Sequence, residues 1–167
     1  MVILFWDASA LAKKYSPELG SNVVEELFQS LQSVTMVSST VSYVEVISVL
    51  LRKFNRNSIN RQAYDAARIK LRNELMLASD VTLLSIDDDA VFGGIAVMEQ
   101  YNLNSTDAIL VYMFEKYIQS GEPDDSFKFV LVSADERMLR AWRTRGRQGI
   151  NPETVDPFTL SELLSST

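Results

Sequence analysis

Short unbroken apolar runs alternate along the chain with longer stretches in which apolar residues recur every three or four positions. Val2–Trp6 is such a run and reads as a buried strand, as do "VTMVSS" at 34–39, "VTLLSI" at 81–86 and "FKFVLVS" at 127–133. The helical spacing falls between them. It predicts helices at Ala8–Tyr15, Asn22–Gln32 (apolar at Val23, Val24, Leu27, Phe28 and Leu31), Arg61–Ala78, 87–101, Asp107–Gln119, Asp135–Arg145 and Phe158–Leu164. A further helix runs from a cap at Ser39 or Thr40 to about Phe54, with Tyr43, Val44, Ile47, Leu50, Leu51 and Phe54 as its core face. Gly146 or Gly149 would end the 135–145 helix, and "INPETVDP" at 150–157 reads as irregular. "NRNSIN" at 55–60 and "SGEPDDS" at 120–126 read as polar breaks. Four strands alternating with helices predict an α/β domain with a mainly parallel sheet. No repeat or linker interrupts the pattern, so residues 1–167 are expected to form one domain, with 153–167 as a C-terminal helical extension.

Composition narrows the chemistry. The chain has 167 residues, 47% of them hydrophobic, enough for one domain with a sizeable core. No apolar run reaches the roughly 18 residues of a membrane span, and the N-terminal run is too short for a secretory leader, so a cytoplasmic protein is expected. Cysteine and histidine are both absent. Disulfides, thiolate sites, Cys nucleophiles and imidazole bases are thereby excluded. Acid–base or metal chemistry must rest on carboxylates, hydroxyls, Lys or Tyr.

The net charge of −6 argues against a protein that coats nucleic acid through bulk positive charge. The sign is uneven, however. Arg52–Arg72 holds seven bases against one acid, and Arg137–Arg147 holds five arginines and no acid. Either stretch is a solvated helix face or a phosphate-binding one.

Ligands of open parallel sheets bind beyond the carboxyl ends of the strands. Asp7 follows the first strand directly, and Asp135 follows the fourth. Glu45 and Asp107 lie in the first turns of helices that would start at the same edge. Each has an ordinary explanation taken singly. Asp107 favours a helix N-terminus, Asp135 caps one, and Glu45 is a solvated residue or a partner for Arg52. Asp87-Asp88-Asp89 is read as helix capping rather than a metal site. Together, four converging carboxylates repel one another, and a divalent cation removes the conflict. All-oxygen donors select Mg²⁺ or Mn²⁺. Such ions activate water and stabilise an in-line phosphodiester displacement. Ser9, Thr106 and Ser133 flank the acids and are candidates for orienting carboxylates or waters.

"FWDASALAKKY", "SYVEVISVL", "NSTDAILVY" and "VSADERMLRAWRTRG" resemble, in order and content, the four acidic motifs of PIN-domain nucleases, above all the VapC-type toxin ribonucleases of toxin–antitoxin pairs. The likeness runs from Val2 to about Pro152. It implies a three-layer α/β/α domain. It implies that Asp7, Glu45, Asp107 and Asp135 hold Mg²⁺ or Mn²⁺ and cleave RNA, with Asp135 the most dispensable. It also implies a homodimer silenced by a small antitoxin. The chain departs from a compact toxin of this type by extra length around Arg61–Ala78 and 119–126, and by its acidity. Arg137, Arg140, Arg143 and Arg145 become candidates for tracking RNA phosphates. Trp142 is expected in the core, with base stacking as the alternative. Gly93-Gly94 inside a helix is expected to mark close helix packing. A catalytically inactive PIN-like binding module is the second reading. A phosphoaspartyl enzyme or receiver is disfavoured, because Ser9 stands where such phosphatases carry a second Asp and "SADER" offers no lysine.

Overall fold

A computed structural model describes residues 2–30, 34–121 and 127–165. Five strands form one parallel sheet: β1 (Val2–Trp6), β2 (Val34–Ser39), β3 (Val81–Leu84), β4 (Lys128–Val132) and β5 (Gln148–Ile150), in the order β3-β2-β1-β4-β5. Among the described residues the α-helices are α1 (Ala8–Tyr15), α2 (Ser21–Gln29), α3 (Thr40–Asn55), α4 (Arg61–Leu71), α5 (Asp88–Tyr101), α6 (Ser105–Ser120), α7 (Glu136–Thr144) and α8 (Pro157–Ser165).

The central strand shows why the sheet needs two helical layers. All five residues of β1 are buried, so both faces must be covered. Val2, Leu4 and Trp6 point into a core shared with α1, α2, α3, α4 and α8. Ile3 and Phe5 point into the other core, shared with α5, α6 and α7. Phe5 stands at the centre of that second core, its ring 4.8 Å from Phe114 and 5.6 Å from Trp142. The result is the expected three-layer α/β/α arrangement. Trp142 is fully buried, and its Nε1 donates to the Gln148 carbonyl at 2.9 Å. α8 places Leu160 and Leu163 in the same core as α1 and α2.

Four expectations change. β5 is a fifth strand where irregular chain was expected. It has three residues and no alternation to read, and it exists through pairing with β4, from Val130↔Gln148 to Val132↔Ile150. The helix expected over Arg61–Ala78 ends as α4 at Leu71 and continues as a π-helical turn, Arg72–Met76, closed by Leu77 N donating to Arg72 O at 3.0 Å. The core face of α3 is turned from the expected one. Ser42, Val46 and Leu50 are buried, with Tyr43, Ile47 and Phe54 at its edge, while Val44 is 60% and Leu51 42% exposed. Packing against α1 and α4 sets that angle. The helix expected over Asn22–Gln32 spans Ser21–Gln29, and Leu31 lies outside the described residues. The loop expected at 120–126 lies mostly outside them as well.

Caps account for several boundaries. Ser39 caps α3 by accepting from Ser42 N at 2.9 Å, and Asp87 caps α5 by accepting from Ala90 N at 2.8 Å. Asp89 bonds Tyr112 and Lys116 of α6. The Asp87–Asp89 run is therefore engaged in capping and helix pairing. Among the described residues, no helix is long and apolar enough to cross a membrane.

The glycine pair lets α5 and α6 approach closely. A Cβ on Gly93 would collide with the Tyr112 ring. One on Gly94 would lie 2.8 Å from Ile109 Cγ1 and 3.1 Å from its Cα. Helix propensity favours alanine by about 1 kcal/mol, but backbone cannot move aside as a side chain can. Gly94→Ala is therefore expected to destabilise the fold by about 1–3 kcal/mol through overpacking, read as a lower urea midpoint with an unchanged slope.

Candidate active site

The site begins where β1 ends. β1 pairs with β2 on one side and β4 on the other, so the chain order reverses across it. In open parallel sheets that reversal opens a crevice at the carboxyl edge. Asp7 sits at that point. Its N–H donates to Val132 O of β4 at 3.1 Å, and its carboxylate caps α1. It is only 4% exposed.

A carboxylate at that depth needs donors. Oδ2 receives the Ser9 N–H at 3.2 Å, the Ser9 hydroxyl, and the Ser133 hydroxyl at 2.9 Å. Both hydroxyls are aimed in turn. The Ala134 N–H donates to Ser9 Oγ at 2.8 Å, and the Asp135 N–H donates to Ser133 Oγ at 3.0 Å. A hydroxyl has one proton, so each serine accepts from backbone and donates to Asp7. Among the described residues no donor reaches Oδ1. Asp7 thus has one oxygen bound to the protein and one left for a ligand.

The other acids arrive from different elements. Glu45 lies on α3, half-buried beside the inward face rather than opposite it. Asp107 lies in the first turn of α6. Asn104, the cap of that helix, accepts from Asp107 N at 2.9 Å and donates through Nδ2 to Asp107 Oδ2 at 2.7 Å. Asp135 caps α7, with Oδ1 accepting from Arg137 N at 2.7 Å and Met138 N at 3.3 Å, and Oδ2 paired with the Arg137 guanidinium at 3.2 Å. All four acids line one open cleft of about 410 Å³, together with Ser9, Ser48 and Arg52. A larger cavity of about 500 Å³ lies at the opposite edge of the sheet, around Ile3, Tyr117, Phe127 and Phe129. Among the described residues neither acid nor base lines it, whereas four acids line the smaller cleft.

Electrostatics sets the acids apart. Burial and the charges of Asp7, Asp135 and Glu45 push Asp107 up to about 7. Burial and Asp7 also raise Glu45, against the pull of Arg52. Burial would raise Asp135 too, but hydrogen bonds from Arg137 and Met138 outweigh it and hold this acid below its ordinary value. The cleft therefore carries negative charge that its own bases leave uncompensated. Among the described residues, no three acids close tightly on one point; they ring the cleft. The all-oxygen donor set is of the kind that suits a hard cation such as Mg²⁺, which keeps part of its water shell and takes one or two carboxylates.

The flanking residues divide. Ser9 and Ser133 bond Asp7, whereas Thr106 does not line the cleft and its side chain makes no hydrogen bond among the described residues. Of the arginines, Arg137 stands beside Asp135. Arg143 turns to Gly149 O and Glu136, and Arg145 lies over the Tyr101 ring at 5.1 Å. Arg140 is exposed and outside the cleft. Arg137, Arg140 and Arg143 recur every three residues on the exposed side of α7, opposite the buried Met138, Leu139, Ala141 and Trp142. Arg52 lines the cleft without forming an ion pair with Glu45. Sequence reasoning passed over Asn104 and Ser48. Asn104 was legible as a residue three before Asp107, the spacing of a helix cap.

A family model described as the PIN domain matches residues 4–141. The chain belongs to the PIN domain family. The match spans the β1 edge and all four acids of the cleft. Solved structures agree in fold. A Pyrobaculum aerophilum protein, PAE2754, superposes with a TM-score of 0.62 at 19% identity, over 98% of this chain and 96% of that one. A toxin–antitoxin complex from Klebsiella pneumoniae gives 0.57 at 13%, over 91% and 99%. VapBC2 from Rickettsia felis, bound to a DNA fragment from its promoter, gives 0.50 at 12%, over 89% and 98%. No curated protein matches the chain.

The charge crowding in this PIN domain has a measurable consequence. Asp107 moves from an ordinary 3.8 to about 7 in the fold, so between those values the folded state holds a proton that the unfolded chain has released. Linkage then makes the metal-free fold lose stability as pH rises through that window. Asp107→Asn, which keeps an oxygen for Asn104, removes the effect. In EDTA its Tm is expected to exceed that of the wild type by several degrees at pH 8, with the gap closing toward pH 4 in a thermal-melt series.

Proposed function

We propose that this PIN domain is a divalent-cation-dependent endoribonuclease, the toxin of a toxin–antitoxin pair. The observation that carries the reading is the cleft at the β1/β4 edge, where Asp7, Glu45, Asp107 and Asp135 meet with no histidine, cysteine or lysine among them. Asp7 through Oδ1, with Glu45 and Asp107, would hold Mg²⁺ or Mn²⁺. When bound, the ion lowers the pKa of an attacking water and stabilises charge on the phosphoryl oxygens. The rest falls to the protein. Ser9 and Ser133 keep Asp7 in one rotamer, Asn104 keeps Asp107 in another, and Arg137 restrains Asp135. The donors are therefore set before substrate arrives, which spares reorganisation during the reaction. Hydrolysis forms one bond from a water oxygen to phosphorus and breaks one ester P–O bond. Asp135, already committed to α7 and Arg137, has the most peripheral role.

The toxin assignment draws on the resemblance of the four motifs and on fold neighbours described as toxin–antitoxin complexes. An antitoxin would silence the cleft by placing an arginine against its carboxylates, since a guanidinium pairs bidentately with carboxylate. A second copy of the chain would cover the exposed apolar residues of α5, Val91, Phe92 and Ile95. The second reading, a non-catalytic PIN-like module that holds RNA or protein, is favoured by the open spacing of the acids.

Asp7→Asn is expected to reduce Mn²⁺-dependent cleavage of an oligoribonucleotide at least a hundredfold, and EDTA to abolish it, with the circular dichroism spectrum unchanged. Undiminished cleavage by this variant refutes the assignment, and absence of any specific Mn²⁺ binding favours the non-catalytic module. Ser133→Ala leaves Asp7 one donor short and frees the Asp135 N–H. Loss of a group that orients a ligand typically costs 10–100-fold in metal affinity. A weakening of about that size is expected in a Mn²⁺ titration by calorimetry.

A further inference from the structure

A cleft ringed by four carboxylates repels the polyanion it is proposed to cut, so the substrate needs an attractive contact beyond the metal. Among the described residues that line the cleft, Arg52 is the base. It lies on α3 with Glu45 and Ser48, spaced three and four apart and so on one helical face, two turns beyond Glu45.

Three nearby bases, Lys53, Arg61 and Lys70, face acids elsewhere, and neither Arg56 nor Arg72 lines the cleft. Lys53 binds Glu18 at 2.6 Å and Ser16 at 2.9 Å, Arg61 binds Asp65 at 2.9 Å, and Lys70 lies 3.9 Å from Glu74. Across the cleft Arg137 is paired with Asp135, and away from the cleft Arg147 is paired with Glu115 at 3.2 Å. The Arg52 side chain has no ion pair or hydrogen bond among the described residues, although it stands in a cleft of acids. A cation so placed senses the carboxylates at a distance and keeps its planar donor fork open. That fork matches the geometry of a phosphate, which accepts two parallel N–H bonds.

Building on the nuclease reading, we infer that Arg52 is the substrate-positioning residue of this cleft, binding a backbone phosphate of the RNA next to the one being cut. The contact is sequence-independent and sets where the strand lies, while the acids act on the neighbouring phosphate. It requires a substrate with at least two consecutive phosphodiesters and gives the α3 side of the cleft a role that Arg137, already paired with Asp135, does not fill.

The test uses the full chain and a fluorescent single-stranded oligoribonucleotide. In Mn²⁺, Arg52→Ala is expected to raise KM about tenfold with kcat within twofold of the wild type, and Arg52→Lys to recover part of the loss. One phosphate contact on a single strand contributes about 0.7 to the slope of log affinity against log salt. Fluorescence anisotropy with Asp7→Asn, which leaves the strand uncut, should therefore show a slope lower by about that amount once Arg52→Ala is added. An unchanged KM and salt slope, or a fall in kcat at constant KM, overturns the role of Arg52. If the wild type cleaves nothing while the Arg52-dependent salt slope persists, the nuclease reading falls and the phosphate contact stands.

Discussion

The site depends on one buried carboxylate and the two hydroxyls that hold it. Asp7 lies between β1 and β4 at a depth where an acid without donors costs several kcal/mol. Ser9 and Ser133 supply the donors, and each is itself held by a backbone N–H of the segment after β4. The network therefore joins the ends of two strands that are more than 120 residues apart in the chain. It serves the fold and the site together: it makes burial of Asp7 tolerable and leaves one of its oxygens unbonded.

The remaining acids converge because of how helices begin in this topology. β1, β2 and β4 all end at one edge, so the helices that leave them start there, and α6 starts there too. Asp107 and Asp135 stand in first turns or caps, where partial positive charge favours an acid. That benefit does not cancel the repulsion among four carboxylates in one cleft. Asp107, raised to about 7, records the imbalance. A folded state that carries such repulsion gains from any ligand that supplies positive charge, whether a divalent cation, a phosphate-bound metal or a partner's guanidinium.

The two cores have different tasks. On one face Phe5, Phe114 and Trp142 fill the space under α6 and α7, and so fix the directions from which Asp107 and Asp135 approach. On the other, Trp6 and Leu50 place α3, whose Glu45 and Arg52 form the opposite wall. The glycines of α5 bring α5 against α6 closely enough to hold the start of α6 at the cleft.

Much of this was legible in the sequence. Four of the strands described follow from apolar runs, most plainly β1, which is buried on both faces and so apolar throughout. The helices follow from periodicity, and the α/β alternation from their order. The four acids could be singled out because each follows a strand or opens a helix, and the ordered motifs carried the family. Other features are not local. β5 has three residues and is a strand only because β4 is beside it. The angle at which α3 meets the sheet depends on α1 and α4, so its exposed Val44 was misread from spacing alone. The arginines of 137–147 are legible as a basic stretch, but the partner each side chain takes, Gly149 O for Arg143 and the Tyr101 ring for Arg145, is set by packing. Periodicity and order determine which elements form and how they alternate, since both rest on contacts within a few residues. Only the tertiary structure decides which side chains meet, since hydroxyls and carboxylates separated by a hundred residues are neighbours through packing alone.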